Sequence, residues 1–496
     1  MDIPNNSALA LSQAIAQRQI GCEEWMRATL AQIARYNPAH LALVSLVDGD
    51  TLLAQARACD QALARGEHHG WLHGIPQAVK DLSDVAGLPT SMGSLALHPL
   101  HPTQDGLVAA RLRAQGAIFV GKTNTPEFGL GSHTFNEVFG ATRNAWNPQL
   151  SAGGSSGGAA VALALHMLPV ADGSDFMGSL RNPAGWNHVF GLRPTPGRVP
   201  YLAPAPDVLE PLGTEGPMAR HIDDLAMMLA TLAGPHPKAP HALADNPSQF
   251  RPPVSPAAPG VRVGWLGDLG GHLAFEDGIL ALCQQALGQL SEVGCHVDQA
   301  HLRVNLDDVW QAWLLWRNVL VGNKLKPQLQ RPGVRAQIKP EAQWEYDQSV
   351  RFQAADLQHA TATREGLKQA FDNLWQQFDV LALPVSQVWP FDVNWRWPQR
   401  INDKPMQTYH HWMEVVLYAT FAGLPCLCVP AGFGANGLPM GLQLIGRAQG
   451  EWGLLQLGKA YETATASMLA KRPPGLELNS TCRVTSCGRR CTGQSA

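Results

Sequence analysis

The sequence is short of charge. Asp, Glu, Lys and Arg make up 16% of its 496 residues, and the formal net charge is −3. There is no basic excess and no basic stripe, so no field draws nucleic acid or an anionic membrane surface. A small neutral substrate fits this balance better than a polyanion. Long hydrophobic runs are missing as well. The longest, residues 159–165, falls far below the roughly 20 residues needed to span a bilayer. The opening stretch, MDIPNNSALALSQAIAQRQ, has no basic start and no unbroken apolar segment, and does not read as a secretory leader. The nine cysteines are odd in number and scattered, unlike the dense disulfide framework of a small secreted domain. Together these absences predict a cytoplasmic protein with reduced thiols.

Apolar residues, at 45%, are plentiful enough for a sizeable core. At about 150 residues per domain the length suggests two or three units, but large α/β enzymes often run as one. Residues 7–35 read as two amphipathic helices separated by Gly21, the second stopped by Asn37 and Pro38. From residue 74 to 171, short apolar runs (77–79, 118–120) alternate with helical stretches such as 108–113, the pattern of an α/β layer fold. Residues 159–167 read as a buried helix that follows a glycine loop. Residues 261–266, 379–384 and 425–430 read as strands and 279–290 as a helix. The Pro- and Ala-rich stretch 235–259 reads as an exposed linker or surface excursion. Eight tryptophans between residues 302 and 397 fit either helix packing or an aromatic wall over a pocket. Beyond residue 470 a polar tail without aromatics is expected to be poorly ordered. Its Cys482, Cys487 and Cys491 match no familiar zinc spacing.

Two glycine motifs invite misreading. Gly116, four residues, then Gly121-Lys122-Thr123 fits a nucleotide-binding loop, but the intervening Ala117-Ile118-Phe119-Val120 is apolar and reads as a strand rather than a phosphate cradle. Gly153-Gly154-Ser155-Ser156-Gly157-Gly158 contains G-x-S-x-G, the nucleophile elbow of α/β-hydrolases. That reading needs a histidine, for which His188, His221, His410 and His411 are candidates. Helix capping by a serine hydroxyl is the plainer alternative. A third reading joins more of the chain. Glycines around Ser155 permit an unusual, directed backbone. Residues 171–181 read as a second small-residue turn, ending in Ser179, whose N–H groups could converge on an oxyanion. Residues 74–81 set Lys80 at the end of an apolar run, where it can be drawn inward.

These segments, in this order, resemble the amidase signature family. Residues 74–81 look like its lysine motif, 121–127 like its connector, 153–158 like its Gly-Ser-rich loop, and 173–195 like its nucleophile segment. Residues 216–220, 423–425 and 437–443 also fit, and the resemblance covers roughly residues 5–470. It implies one large α/β domain (1–470) with a central mixed sheet between helical layers, followed by the tail 471–496. It implies an amide hydrolase needing no metal or cofactor, with Ser179 as nucleophile, Ser155 as a cis-peptide serine that bridges, and Lys80 as base. Phe176, Met177, Gly178 and Ser179 would present N–H groups to the oxyanion, while Ser156, Asp175 and Arg181 would support the loops. A buried Lys80 without a close carboxylate would have a lowered pKa and could accept the proton. The chain departs from the family where Phe176-Met177 stands for Thr-Gly, putting bulk beside the oxyanion position. Ala145 and Ala152 stand where Pro is common, and Trp186-Asn187-His188 is unusual. The expected partner is a small-molecule amide, with a homodimer as the candidate assembly. An esterase, a non-catalytic binding relative and a component of an amidotransferase remain the alternatives.

Overall fold

In the computed structural model, residues 7–98, 100–202, 209 and 212–476 are described. Of the proposed tail 471–496, residues 477–496, with the three cysteines, lie outside them. Two sheets organise the chain. The smaller holds β1 (Leu43–Val44), β2 (Pro76–Lys80) and β3 (Ile118–Thr123) in the order β1-β3-β2, with β2 parallel and β1 antiparallel to β3. The larger holds β4 (Val170–Asp175), β5 (Phe190–Arg193), β6 (Thr214–Ala219), β7 (Arg262–Trp265), β8 (His296–Gln299), β9 (Val380–Pro384), β10 (Cys426–Phe433) and β11 (Pro439–Ile445). Its order is β8-β7-β9-β11-β10-β5-β6-β4. The pairs β8/β7 and β7/β9 are parallel and the others antiparallel, so the sheet is mixed.

The central strands β9 and β11 are buried along their whole length, as expected where helices cover both faces. Helices Ile222–Leu232, Ile279–Glu292 and Glu451–Ala464 pack together against the large sheet, whereas Leu306–Leu329, Pro340–Ser349 and Ala354–Leu374 pack mainly on one another. The helix Gly157–Ala164 is buried at every residue and lies between the two sheets. A single α/β domain with a central mixed sheet results.

Three local expectations need correction. Asn37 and Pro38 do not end the second helix, which runs to His40. Proline in the last turn removes only a terminal hydrogen bond. Asn37 instead pins the following strand: its amide donates to the Leu43 carbonyl and its Oδ1 accepts the Leu43 N–H, both at 2.8 Å. Of the two readings of residues 235–259, the linker falls and the exposed surface excursion stands, because β6 before them and β7 after them belong to one sheet. Residues 171–175 are not a turn but most of β4, paired residue for residue with β6. The tryptophans mostly fill the core. Trp310, Trp313 and Trp316 are buried on one helix, and only Trp395 is strongly exposed.

Candidate active site

Lys80 ends β2, a strand buried at all five positions. Its Nζ lies 2.7 Å from Ser155 Oγ, 2.9 Å from Ser156 Oγ and 2.9 Å from Ser174 Oγ. Three hydroxyls therefore surround the amine, and no carboxylate touches it among the described residues. Burial pushes Lys80 down to about 8, against the pull of Glu215, Asp172 and Asp175.

The glycine loop supplies two of these hydroxyls. The Gly154–Ser155 peptide is cis. Thr134 clamps the loop, donating from Oγ1 to the Gly153 carbonyl (2.8 Å) and accepting the Gly157 N–H (3.2 Å). Gly154 N–H donates to Asn182 Oδ1 at 3.3 Å, tying this loop to the segment that follows Ser179. Ser156 occupies the N-cap position of helix Gly157–Ala164, yet its side chain caps nothing. It accepts from Lys80 and donates to the Ser174 carbonyl instead. Capping therefore does not explain the serine pair.

The turn at residues 176–181 is organised by a buried ion pair. Arg181 donates to both oxygens of Asp175 at 3.0 Å. Its Nη1 reaches the Val416 carbonyl (2.9 Å) and Gln443 Oε1 (2.7 Å), and Nη2 reaches Thr420 Oγ1 (2.8 Å). Arg193 adds a longer contact, 3.5 Å, to Asp175 Oδ1. Burial alone would raise the Asp175 carboxyl, but the two guanidinium groups hold it down at about 2. Asp175 also accepts the N–H groups of Gly178 (2.9 Å) and Leu180 (3.2 Å).

One sequence-based assignment changes here. Gly178 N–H is committed to Asp175 and is not a free oxyanion donor. The N–H groups of Phe176, Met177 and Ser179 make no hydrogen bond among the described residues. Gly178 is needed for its conformation, since its φ is +83° and a Cβ there would lie 2.7 Å from Val416 Cγ2. The Met177 side chain does not crowd the turn's open side. It is 2% exposed and packs in the main core. Phe176 is the half-exposed residue of the turn, its ring 5.7 Å from Trp313 and 5.3 Å from the Arg317 guanidinium.

The structure thus gathers Lys80, Ser155 and Ser156, and holds Ser179 on a turn braced by Asp175 and Arg181. No hydrogen bond joins Ser155 to Ser179 among the described residues. Such a contact often closes only when substrate binds. Sequence reasoning missed Ser174. The signal was the two-residue alternation of a strand, which sends Asp172 and Ser174 to one face and Gly173 and Asp175 to the other.

The competing motifs fall elsewhere. Lys122 lies in β3, not in a phosphate loop. Its Nζ donates to the Ser83 carbonyl (2.6 Å) and Thr90 Oγ1 (3.1 Å), and pairs with Asp81 at 3.4 Å. None of the candidate histidines bonds either serine. His188 reaches the Met468 carbonyl, His221 reaches Glu462, His410 reaches Thr408, and His411 faces Glu414.

Comparison with known proteins decides the family. The sequence profile named Amidase matches residues 24–455. The chain belongs to the amidase signature family. It is 32% identical to a glutamyl-tRNA(Gln) amidotransferase subunit from Picosynechococcus sp., over 92% of this chain and 97% of the relative. Among solved structures it resembles a bacterial aryl acylamidase of the amidase signature family (TM-score 0.84, 26% identity, 94% of this chain and 99% of that one). It also resembles the peptide amidase of Stenotrophomonas maltophilia (TM-score 0.73, 27% identity, 96% and 99%). Among its described residues no helix is long and apolar enough to cross a membrane.

Proposed function

We propose that this amidase-family chain hydrolyses carboxylic acid amides through an acyl-enzyme on Ser179. The observation that carries the reading is the amine of Lys80, buried among three hydroxyls without a carboxylate partner. A neutral amine offers two N–H donors and one lone pair. It can therefore donate to Ser156 and Ser174 while accepting a proton from Ser155. Ser155 in turn takes the proton of Ser179 as that oxygen attacks the amide carbonyl. The oxyanion is met by the free N–H groups of Phe176, Met177 and Ser179, each such donor typically contributing about 2.7–4 kcal/mol. Protons return along the relay to the leaving amine, and water then cleaves the ester. The described cysteines are all free, which suits a reducing compartment such as the cytoplasm.

A fluorophosphonate probe followed by mass spectrometry tests this directly. Ser179 should label in the unmodified protein, and labelling should vanish in Ser179→Ala and collapse in Lys80→Met. Full amide turnover by Ser179→Ala would overturn the assignment. A second reading, one component of a glutamine-using amidotransferase, draws on the 32% identity across nearly the full relative. It predicts that glutamine is a good substrate and that a partner chain copurifies.

A further inference from the structure

The surroundings of Lys80 extend beyond the three hydroxyls. Asp172 and Ser174 share one face of β4. Asp172 Oδ2 accepts the Lys80 backbone N–H at 3.2 Å, and its fully buried Oδ1 meets no donor among the described residues. Glu215 lies directly opposite Ser174 in the antiparallel ladder between β4 and β6. Directly opposite side chains stand on the same face, with Cβ atoms about 4.5–5.5 Å apart. The Glu215 carboxyl therefore stands beside a hydroxyl that Lys80 contacts. No hydrogen bond or ion pair holds that carboxyl among the described residues.

We propose that Glu215, backed by Asp172, is a positioning residue of the relay that sets the protonation state of Lys80 and so the pH at which the relay can start. The proposal rests on the hydrolase reading above.

The charged groups around this unit divide clearly. Lys80 is faced by Glu215, Asp172 and Asp175. Asp175 is already neutralised by Arg181 and Arg193. Glu215 is faced by Lys80, by Asp172 and by Lys324 of helix Leu306–Leu329. Asp172 is faced by Lys80 and by Lys122, and the latter is tied to Asp81. Two carboxyls are thus left to respond to the lysine. Burial pushes Glu215 up to about 7 and Asp172 up to about 6, close to the value of about 8 for Lys80. Ammonium with carboxylate, and amine with carboxylic acid, carry the same number of protons. Passing between them breaks one N–H bond, makes one O–H bond and leaves the net charge unchanged. Only in the second form does the Lys80 nitrogen carry a lone pair that can accept the Ser155 proton. An ionised Glu215 holds the proton on Lys80, whereas a neutral group in its place releases the amine at lower pH.

The test is the pH dependence of fluorophosphonate labelling of Ser179, measured for the unmodified chain, Glu215→Gln and Asp172→Asn. Glu215→Gln should move the acid limb down by roughly one pH unit, so that labelling on that limb becomes about tenfold faster. Glu215→Asp, which keeps the charge, should leave the limb near its original position. A purely structural role would lower the plateau rate or the melting temperature without moving the limb. A folded Glu215→Gln whose acid limb stays in place, or moves up, overturns the proposal. Should Glu215→Gln fail to fold, Asp172→Asn carries the same expectation: a downward shift supports the proposal, and an unmoved limb overturns it. Failure of the hydrolase reading is separately visible, because the unmodified chain would then not label at all.

Discussion

Replacing Arg181 by Met should destabilise the protein by about 3–5 kcal/mol at neutral pH, the usual cost of removing one partner from a buried ion pair. The structure says why the cost is not smaller. Methionine fills part of the volume but leaves the Asp175 carboxylate with one cation, at the longer Arg193 contact, beside the N–H groups of Gly178 and Leu180. Gln443 Oε1 loses its 2.7 Å donor. The Val416 carbonyl keeps one donor, Thr420 Oγ1 at 3.2 Å, which limits the damage there. The acid dependence gives a second, independent check. Asp175 is held at about 2 against an ordinary value of 3.8. That depression contributes about 2–3 kcal/mol, fully present above about pH 4 and lost as pH falls towards 2. In the variant, burial is opposed only by Arg193 and the two backbone N–H donors, and the carboxyl rises. Protonation then relieves the buried charge, so the gap between variant and parent should narrow as pH falls. Urea unfolding followed by tryptophan fluorescence at pH 7 and pH 4.5 measures both quantities. A deficit below about 1 kcal/mol, or a gap that widens on acidification, would refute the reasoning.

Gly178→Ala should lower the melting temperature and slow Ser179 labelling together, because the left-handed φ alone costs about 1–2 kcal/mol and the new Cβ meets Val416; thermal melts and labelling rates measured on the same preparation check it. Lys122→Met should cost about 3–5 kcal/mol by leaving the buried Asp81 carboxylate without its cation. In the unmodified protein, millimolar ATP should leave the melting temperature unchanged, whereas a ligand bound to the native state would raise it.

Much of the site was legible in the sequence because its parts obey local rules. Lys80 closes an apolar run and is therefore a strand end pointing inward. Paired glycines around Ser155 announce a backbone that ordinary residues would not adopt. The apolar residues before Lys122 argue against a nucleotide loop, and β3 runs through them. What escaped was set by neighbours distant in sequence. Ser174 looked like part of a turn because Gly, Ser and Asp are turn residues, and only pairing with β6 makes the segment a strand. The commitment of Gly178 N–H to Asp175 follows from an arginine buried against residues more than 200 positions away, which no local pattern records. Pro38 misled because its disruption falls where the helix is ending anyway.

The amine of Lys80 stands on the small sheet, while Ser174 and Asp172 stand on the edge strand of the large one. Among the described residues no strand ladder joins the two sheets there; the seam is spanned through side chains, Asp172 meeting the Lys80 backbone N–H and Ser174 its amine. Sliding β4 by one residue would turn Ser174 and Asp172 away from the amine and present Gly173 and Asp175 in their place. The hydroxyl cage therefore works as a caliper for the alignment of two separately hydrogen-bonded layers. Mild heat or denaturant that loosens the seam would disarm the lysine while both sheets and their helices still stand, so loss of Ser179 reactivity should precede the main unfolding transition.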